Sequence, residues 1–366
     1  MSDKDKTGEG KFVEYLESMK PEIDGIIEKY LPKKATEDWL KFTFGIPRYA
    51  YSLEAADKSL IKPIWDFIDR GGKRWRPILF LLISEAVDGA DWEKIKDMVI
   101  IPELIHNGTI IIDDIEDQGE LRRGKPCLHK IFGVDISVNA GNFLYFFPLL
   151  ALIKNKDKFK PEVLVRAYEV YAQEMINISF GQGTDIYWHQ GKAKEIKEGE
   201  YLQMCSYKTG CLSRLSAKLA VVLSGGSNEV AEAAGRVVEA MGVAFQIQDD
   251  ILDIMSEGEE REKFGKIFGN DIKEGKRTLM VIHVLEKGSE EDKKRLIEIL
   301  DKHTDDVEEK KEAIEIIKKY DSVEYAQEKA REIMRDAWQE ADKLLSDSPA
   351  KKRLEEFVQF LITRKL

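Results

Sequence analysis

The sequence predicts an all-α fold, and three observations carry that prediction. Apolar residues recur at three- and four-residue spacing through most of the 366 residues. No stretch alternates apolar and polar residues long enough to form a sheet. An acidic pentad occurs twice, each time directly after an apolar helical run. With 43% hydrophobic residues, the chain has ample material for a buried core and is not a disordered polymer.

The elements follow in order. From Lys11 to Lys29, Phe12, Tyr15, Leu16 and Met19, then Ile23, Ile26 and Ile27, mark one helix face, and Pro32 ends the run. Further helices are expected near 52–69, 75–87, 93–118, 138–153, 161–182, 199–224, 228–256 and 277–286. Beyond Ser289 the chain is dense in charges of both signs, with Leu296, Ile299, Leu300, Ile314 and Ile317 at helical spacing. That pattern describes solvated faces whose charges support one another at i,i+4. No Gly-Ser or Pro-rich linker interrupts it. The expected organisation is an N-terminal helical extension over 1–40 and a single all-helical domain over 41–366.

Charge and cysteine content exclude several classes. A formal net charge of −11 argues against a broad nucleic-acid-binding face. Cys127, Cys205 and Cys211 are odd in number, far apart and without a CxxC pair, which suits a reducing compartment. The opening MSDKDKTGEGK has no apolar core of a signal peptide. No uncharged apolar run approaches the ~18 residues of a membrane span. The expectation is a cytoplasmic protein without a transmembrane segment.

The two acidic pentads carry the chemistry. Asp113-Asp114-Ile115-Glu116-Asp117 and Asp249-Asp250-Ile251-Leu252-Asp253 place Asp113 over Asp117 and Asp249 over Asp253 on a helix face. Like charges so placed repel, and one such cluster is ordinary on a solvated surface. Two copies, each ending a core helix, indicate cation binding. Their hard oxygen ligands suit Mg²⁺, which keeps coordination places for water and substrate phosphate. Phosphate-type ligands lie nearby in sequence. Gly71-Gly72-Lys73-Arg74-Trp75-Arg76-Pro77 sets three cations after a glycine pair. Leu121-Arg122-Arg123-Gly124 follows the first pentad, and Gly269-Asn270-Asp271-Ile272-Lys273-Glu274-Gly275-Lys276-Arg277 follows the second. Arginine forks and lysine ammonium groups match phosphate oxygens. None of these is a P-loop.

In this combination and order the chain resembles the trans-isoprenyl diphosphate synthases (polyprenyl synthetases), and among them the geranylgeranyl diphosphate synthases of archaeal and eukaryotic type. The resemblance spans about residues 70–286. It rests on GGKRWRP, the run from Ile105-His106-Asn107 through DDIEDQGELRRGKP, GQGTDIYW at 181–188, Tyr207-Lys208-Thr209-Gly210, FQIQDDILD and GNDIKEGKRTL. It implies an isoprenoid synthase-type helical bundle around a deep central cavity, generally a homodimer. It implies three Mg²⁺, held by Asp113, Asp114 and Asp117 at the first motif and by Asp249 and Asp253 at the second. Arg122, Lys208, Thr209, Gln246, Lys266 and Lys276 match positions around an allylic diphosphate. Lys73, Arg76, His106 and Arg123 match an isopentenyl diphosphate site. The implied reaction is loss of diphosphate from the allylic substrate and attack on the resulting cation by isopentenyl diphosphate. The Thr209 carbonyl and the Gln246 side chain would steady the charge as dipoles.

Rival readings are a synthase of longer chains, a terpene cyclase and a non-catalytic partner subunit. The second DDxxD and GGKRWRP with His106 disfavour a cyclase, and two intact acidic motifs disfavour a partner subunit. For product length, Gly108 and Thr109 are expected to face the cavity wall one turn before Asp113. Tyr145 and Phe146 are expected to floor the tunnel. Ser179 stands where a larger histidine often closes it, so some leakage to twenty-five carbons is expected beside a twenty-carbon main product.

Overall fold

The computed structural model describes residues 8–87, 91–193, 195–255, 269–344 and 347–363. Helices dominate them, and the only strands among the described residues are Leu121–Arg122 and Lys125–Pro126, a two-stranded antiparallel hairpin. The helices that bear on the site are α1 (Gly8–Tyr30), α2 (Trp75–Ala86), α3 (Ile100–Glu116), α4 (Val134–Phe146), α5 (Pro161–His189) and α6 (Glu198–Cys205). They continue with α7 (Cys211–Leu223), α8 (Asn228–Met255), α9 (Asn270–Glu274), α10 (Leu279–Lys287) and α11 (Ser322–Leu344). The windows read from periodicity fall on helical segments, but several of them span more than one. The window 52–69 covers three short helical pieces, 93–118 takes in short turns before α3, and 138–153 runs past α4 into a further short helix, while α5 runs seven residues beyond its window.

The chain divides into two compact units, residues 1–167 with 219–226 and residues 168–218 with 227–366. In the first, α1 and α2 pack on α3, and α3 on α4. Ile23, Ile27, Leu31, Ile78, Phe80, Ile101 and Leu104 are all but completely buried. Each such side chain contributes roughly 1.5–3 kcal/mol by leaving water. Helix α1 packs within this unit through Ile23 and Ile27. In the second unit, α8 lies along α11 and against α6, burying Val237, Val238, Met241, Ile247 and Ile251. Between α6 and α7 the helix widens into a π-turn, Ser206–Gly210. No hydrophobic period announces that turn, and π-turns recur at functional sites.

Residues 134–154 form a continuous helical stretch whose most apolar eighteen-residue window has mean hydropathy 1.6, long and apolar enough to cross a membrane by length and composition alone. The sequence reading found no such run. Half of its most apolar window is buried inside the protein, with Ala140, Leu144, Leu150 and Ala151 in the core.

One site expectation is corrected by helix packing. Gly108 does not face open space: a Cβ there would sit 2.8 Å from the carbonyl oxygen of Gly141 and 2.9 Å from Leu144 Cβ. Helices α3 and α4 meet backbone to backbone at this crossing, which explains the glycine. Gly108→Phe is therefore expected to wedge the helices apart, at a cost of about 3 kcal/mol or more. Loss of soluble protein or a clearly lowered melting temperature is the expected result; a wild-type melting curve would contradict this packing.

Candidate active site

In the first unit the acidic motif ends α3. Asp113, Asp114 and Glu116 fill its last turn, Asp117 caps it, and no basic residue lies in that turn. Carboxylates at a helix C-terminus are opposed by its dipole as well as by each other. Arg122, from the hairpin, answers part of this charge: Nε and Nη2 lie 2.7 and 2.6 Å from Asp114 Oδ1, and Nη2 lies 3.8 Å from Asp113 Oδ2. Asp114 is buried, and burial raises its pKa against the pull of Arg122. Asp113 is more open, with a quarter of its side chain exposed.

The donor set fits a hard divalent ion. The neighbouring thiol, Cys127, is pushed up to about 12 by burial and by Asp114. Among the described residues no group of three His, Cys, Asp or Glu side chains is already gathered as a cage. Ligands beyond these carboxylates would come from water and substrate oxygens.

Four arginines surround His106 in the same unit. Burial, then Arg76, Arg123, Arg122 and Arg74, hold its imidazole well below the usual range, so it is neutral at pH 7. Arg76 is 5% exposed and lies against the Trp75 ring at 4.3 Å, whereas Lys73 is exposed. Arg123 donates to the carbonyl of Gly71 and sits 4.9 Å from the Phe67 ring. Burial lowers its pKa to about 10, with Arg74 and Arg122 adding repulsion. Lys73, Arg76, His106 and Arg123 thus gather in one unit with the first acidic motif. Thr109 bonds to the backbone of its own helix, at His106. Tyr145 packs beside Gly108, its ring 3.3 Å from the Cβ position of that residue. Burial, Glu116 and Asp113 raise its hydroxyl pKa. Phe146, expected in a tunnel floor, is instead 68% exposed, turned about 100° around α4 from Tyr145.

The second unit places Lys208 and Thr209 on the π-turn. Lys208 Nζ is 2.5 Å from Asp185 Oδ2, and Lys208 followed by Lys276 keeps that buried carboxylate acidic despite desolvation. Sequence reasoning quoted Asp185 within GQGTDIYW but gave it no role; the signal was the lone acid in that motif. Thr209 Oγ1 donates to Gln246 Oε1 at 2.7 Å, and Gln246 Nε2 donates to Asp250 Oδ1 at 2.8 Å. The other oxygen of Asp250 accepts from Tyr201 at 2.8 Å. Burial, then Asp271, pushes Asp250 up to about 7. This chain fixes which way the Gln246 amide points, and Tyr201 and Asp250 are its supports.

Asp249 is half-buried on the same helix. Asp253 is 4% exposed, and its Oδ2 accepts the backbone N–H of Asp271 at 3.0 Å. It therefore ties down the first turn of α9. Lys276 lies 2.6 Å from Glu274 and 3.3 Å from Asp271. Lys266 lies outside the described residues.

The π-turn itself is clamped. A Cβ on Gly181 of α5 would stand 2.4 Å from the backbone nitrogen of Lys208, and one on Gly242 of α8 would stand 2.6 Å from Gly210 Cα. Arg214 reaches both oxygens of Glu174 at 2.8 and 2.6 Å and Glu239 at 2.6 Å. Ser206, the first residue of the turn, bonds to both Glu239 and Arg214. Backbone contact on two sides and a buried ion cluster beneath leave the turn little freedom.

An all-α protein with paired carboxylate clusters, each beside guanidinium or ammonium groups, is a helical enzyme for diphosphate chemistry. The chain belongs to the polyprenyl synthetase family, whose model matches residues 57–317, and is a trans-prenyltransferase. It is 35% identical over 313 residues to the geranylgeranyl pyrophosphate synthase of Geoglobus acetivorans, covering 85% of this chain and 92% of the relative. The crystal structure of geranylgeranyl pyrophosphate synthetase from Pyrococcus horikoshii superposes with a TM-score of 0.82 at 31% identity, covering 97% of this chain and 99% of that one. A geranylgeranyl pyrophosphate synthase from Corynebacterium glutamicum, complexed with isoprenyl diphosphate and magnesium, shares the fold at 21% identity. Its TM-score is 0.77, with 97% and 99% of the two chains covered.

Proposed function

We propose that the protein condenses allylic diphosphates with isopentenyl diphosphate, releases pyrophosphate, and makes chiefly geranylgeranyl diphosphate. The observation that carries this reading is the pairing, within each unit, of an acidic helix end with fixed cations. Asp113, Asp114 and Asp117 would hold Mg²⁺ at the first motif and Asp249 at the second, with three ions in all; Asp253 is better suited to anchoring the start of α9. When bound, the ions neutralise charge that builds on the departing diphosphate. Arg122, Lys208 and Lys276 would hold the allylic diphosphate, and Lys73, Arg76, His106 and Arg123 the isopentenyl diphosphate. Thr209 and Gln246, oriented through Asp250 and Tyr201, would present fixed dipoles to the allylic carbon.

Product length is argued from relatives named for a twenty-carbon product. Ser179 is exposed on α5 and bonds to Met175 of its own helix, so its small size no longer argues for leakage to twenty-five carbons. A homodimer accords with the exposed stripe Ile176, Phe180 and Tyr187 on α5, each more than half exposed and at helical spacing. A cytoplasmic location accords with the reduced cysteines.

The test is pyrophosphate release from isopentenyl diphosphate with dimethylallyl, geranyl or farnesyl diphosphate, with and without Mg²⁺, followed by chromatographic sizing of the dephosphorylated product. Mg²⁺-dependent release and a twenty-carbon product are expected. A product stopping at fifteen carbons overturns the length assignment, and absence of release overturns the reaction.

A further inference from the structure

Three cations follow the Gly71-Gly72 pair, and one of them is turned away from any ligand. Arg74 adopts a left-handed backbone conformation, φ 51° and ψ 29°, at the start of α2. For a non-glycine residue this costs of order 1 kcal/mol or more and persists only where the surroundings enforce it. The enforcement is visible. Only 2% of the Arg74 side chain is exposed. Its Nε donates to Asp24 Oδ1 at 2.9 Å, its Nη1 to Glu103 Oε1 at 2.9 Å, and its Nη2 to the Ile68 carbonyl at 3.4 Å. Glu103 is 4% exposed and is itself held by Asn107 Nδ2 at 3.1 Å. The guanidinium lies beneath the glycine pair, 2.9 Å from where a Gly72 Cβ would be.

Arg74 is therefore the middle of a strut running from α1 through the GGK loop to α3, the helix that carries His106 and the first acidic motif. Asp24 lies outside residues 57–317, the span matched by the family model. We propose that the Asp24–Arg74–Glu103 strut is a positioning device for the isopentenyl diphosphate site, so that α1 sets the affinity for that substrate. The proposal rests on the assignment of Lys73 and Arg76 to that substrate. Lys73 leaves the backbone one residue before the left-handed turn and Arg76 two residues after it. The angle between these two cations is therefore fixed by the conformation that the strut enforces. Asp24 supplies a contact to Nε that Glu103 does not, so removing it loosens one end while the buried pair keeps the fold.

The test uses the full chain with Mg²⁺ and a saturating allylic diphosphate, varying isopentenyl diphosphate. Asp24→Asn is expected to raise the isopentenyl KM about three- to fivefold, as suits a partly exposed charge pair, with kcat and the allylic KM within twofold. Arg74→Lys cannot span both carboxylates and is expected to raise the same KM at least tenfold. Asp24→Asn added to Arg74→Lys should then change little, because the two act through one path. Lys29→Ala, which cuts the separate α1 contact to Asp97, is the control for general loosening of α1 and should leave both KM values alone. Equal changes in both KM values, additive effects of Asp24→Asn and Arg74→Lys, or an unchanged isopentenyl KM in Asp24→Asn would overturn the strut. Calorimetric titration with isopentenyl diphosphate reads the same affinity ratios without turnover. An inactive wild type that keeps those ratios thus sinks the prenyl-transfer reading alone, and one that lacks them sinks the strut. Should Arg74→Lys fail to fold, Asp24→Asn decides the matter by itself.

Discussion

Asp113→Ala is expected to lower turnover by about a hundred- to a thousandfold or more while leaving the protein folded and no less stable. The activity loss follows from its position. Asp113 heads the acidic cluster at the C-terminus of α3 with a quarter of its side chain open, whereas Asp114 is buried and already bonded to Arg122. Losing a ligand to the ions that offset diphosphate charge should cost at least as much as losing one preorganised donor, about a hundred- to a thousandfold. Stability should move the other way. The substitution removes one member of a like-charged group and a negative charge that the helix dipole disfavours. Asp113→Asn, which keeps the shape, should match Asp113→Ala in activity. Turnover and melting temperature measured together check both halves, and near-normal turnover in either variant would remove Asp113 from the metal site.

Much of this arrangement was legible in the sequence because helical period and acidic spacing are local properties. The spacing Ile101, Leu104, Ile105, Gly108 places α3 in the core, and the pentad that follows must then emerge at its end. Spacing gives the face of a helix but not what stands opposite. Gly108 was therefore expected at a cavity wall, when it is the contact point with Gly141 on α4. Phe146, adjacent to Tyr145, was given the same role although neighbours on a helix diverge by about 100°. Arg74 looked like one more phosphate ligand, since nothing local reveals a left-handed turn that sends its side chain to Asp24, fifty residues earlier. Asp185, Arg214 and Glu174 escaped for the same reason. Their partners are distant in sequence, and a lone buried charge is visible only when its counterion is seen.

The widened turn beneath Lys208 and Thr209 yields the second large effect, through two glycines of one motif. Gly181 and Gly183 both lie within α5, so replacing either by alanine brings the same gain in helix propensity, up to about 1 kcal/mol. Their surroundings differ completely. A Cβ on Gly183 meets nothing within 4 Å, whereas one on Gly181 would stand 2.4 Å from the Lys208 nitrogen and 2.6 Å from the Tyr207 carbonyl carbon. Those are backbone atoms, so the π-turn must move as a body. It cannot relax freely, because Gly242 presses on Gly210 from α8 and Ser206 is bonded to Glu239 and Arg214. A shift near 1 Å would carry Lys208 from Asp185 and Thr209 from Gln246, and displacement on that scale costs about a hundredfold in rate. Gly181→Ala is thus expected to lose about a hundredfold in kcat, with a raised allylic KM and a nearly unchanged isopentenyl KM. Gly183→Ala should keep activity within twofold and melt slightly higher. Steady-state kinetics and thermal melts of the pair separate the clamp from helix propensity, and indistinguishable behaviour of the two variants would show that the turn is not held as described.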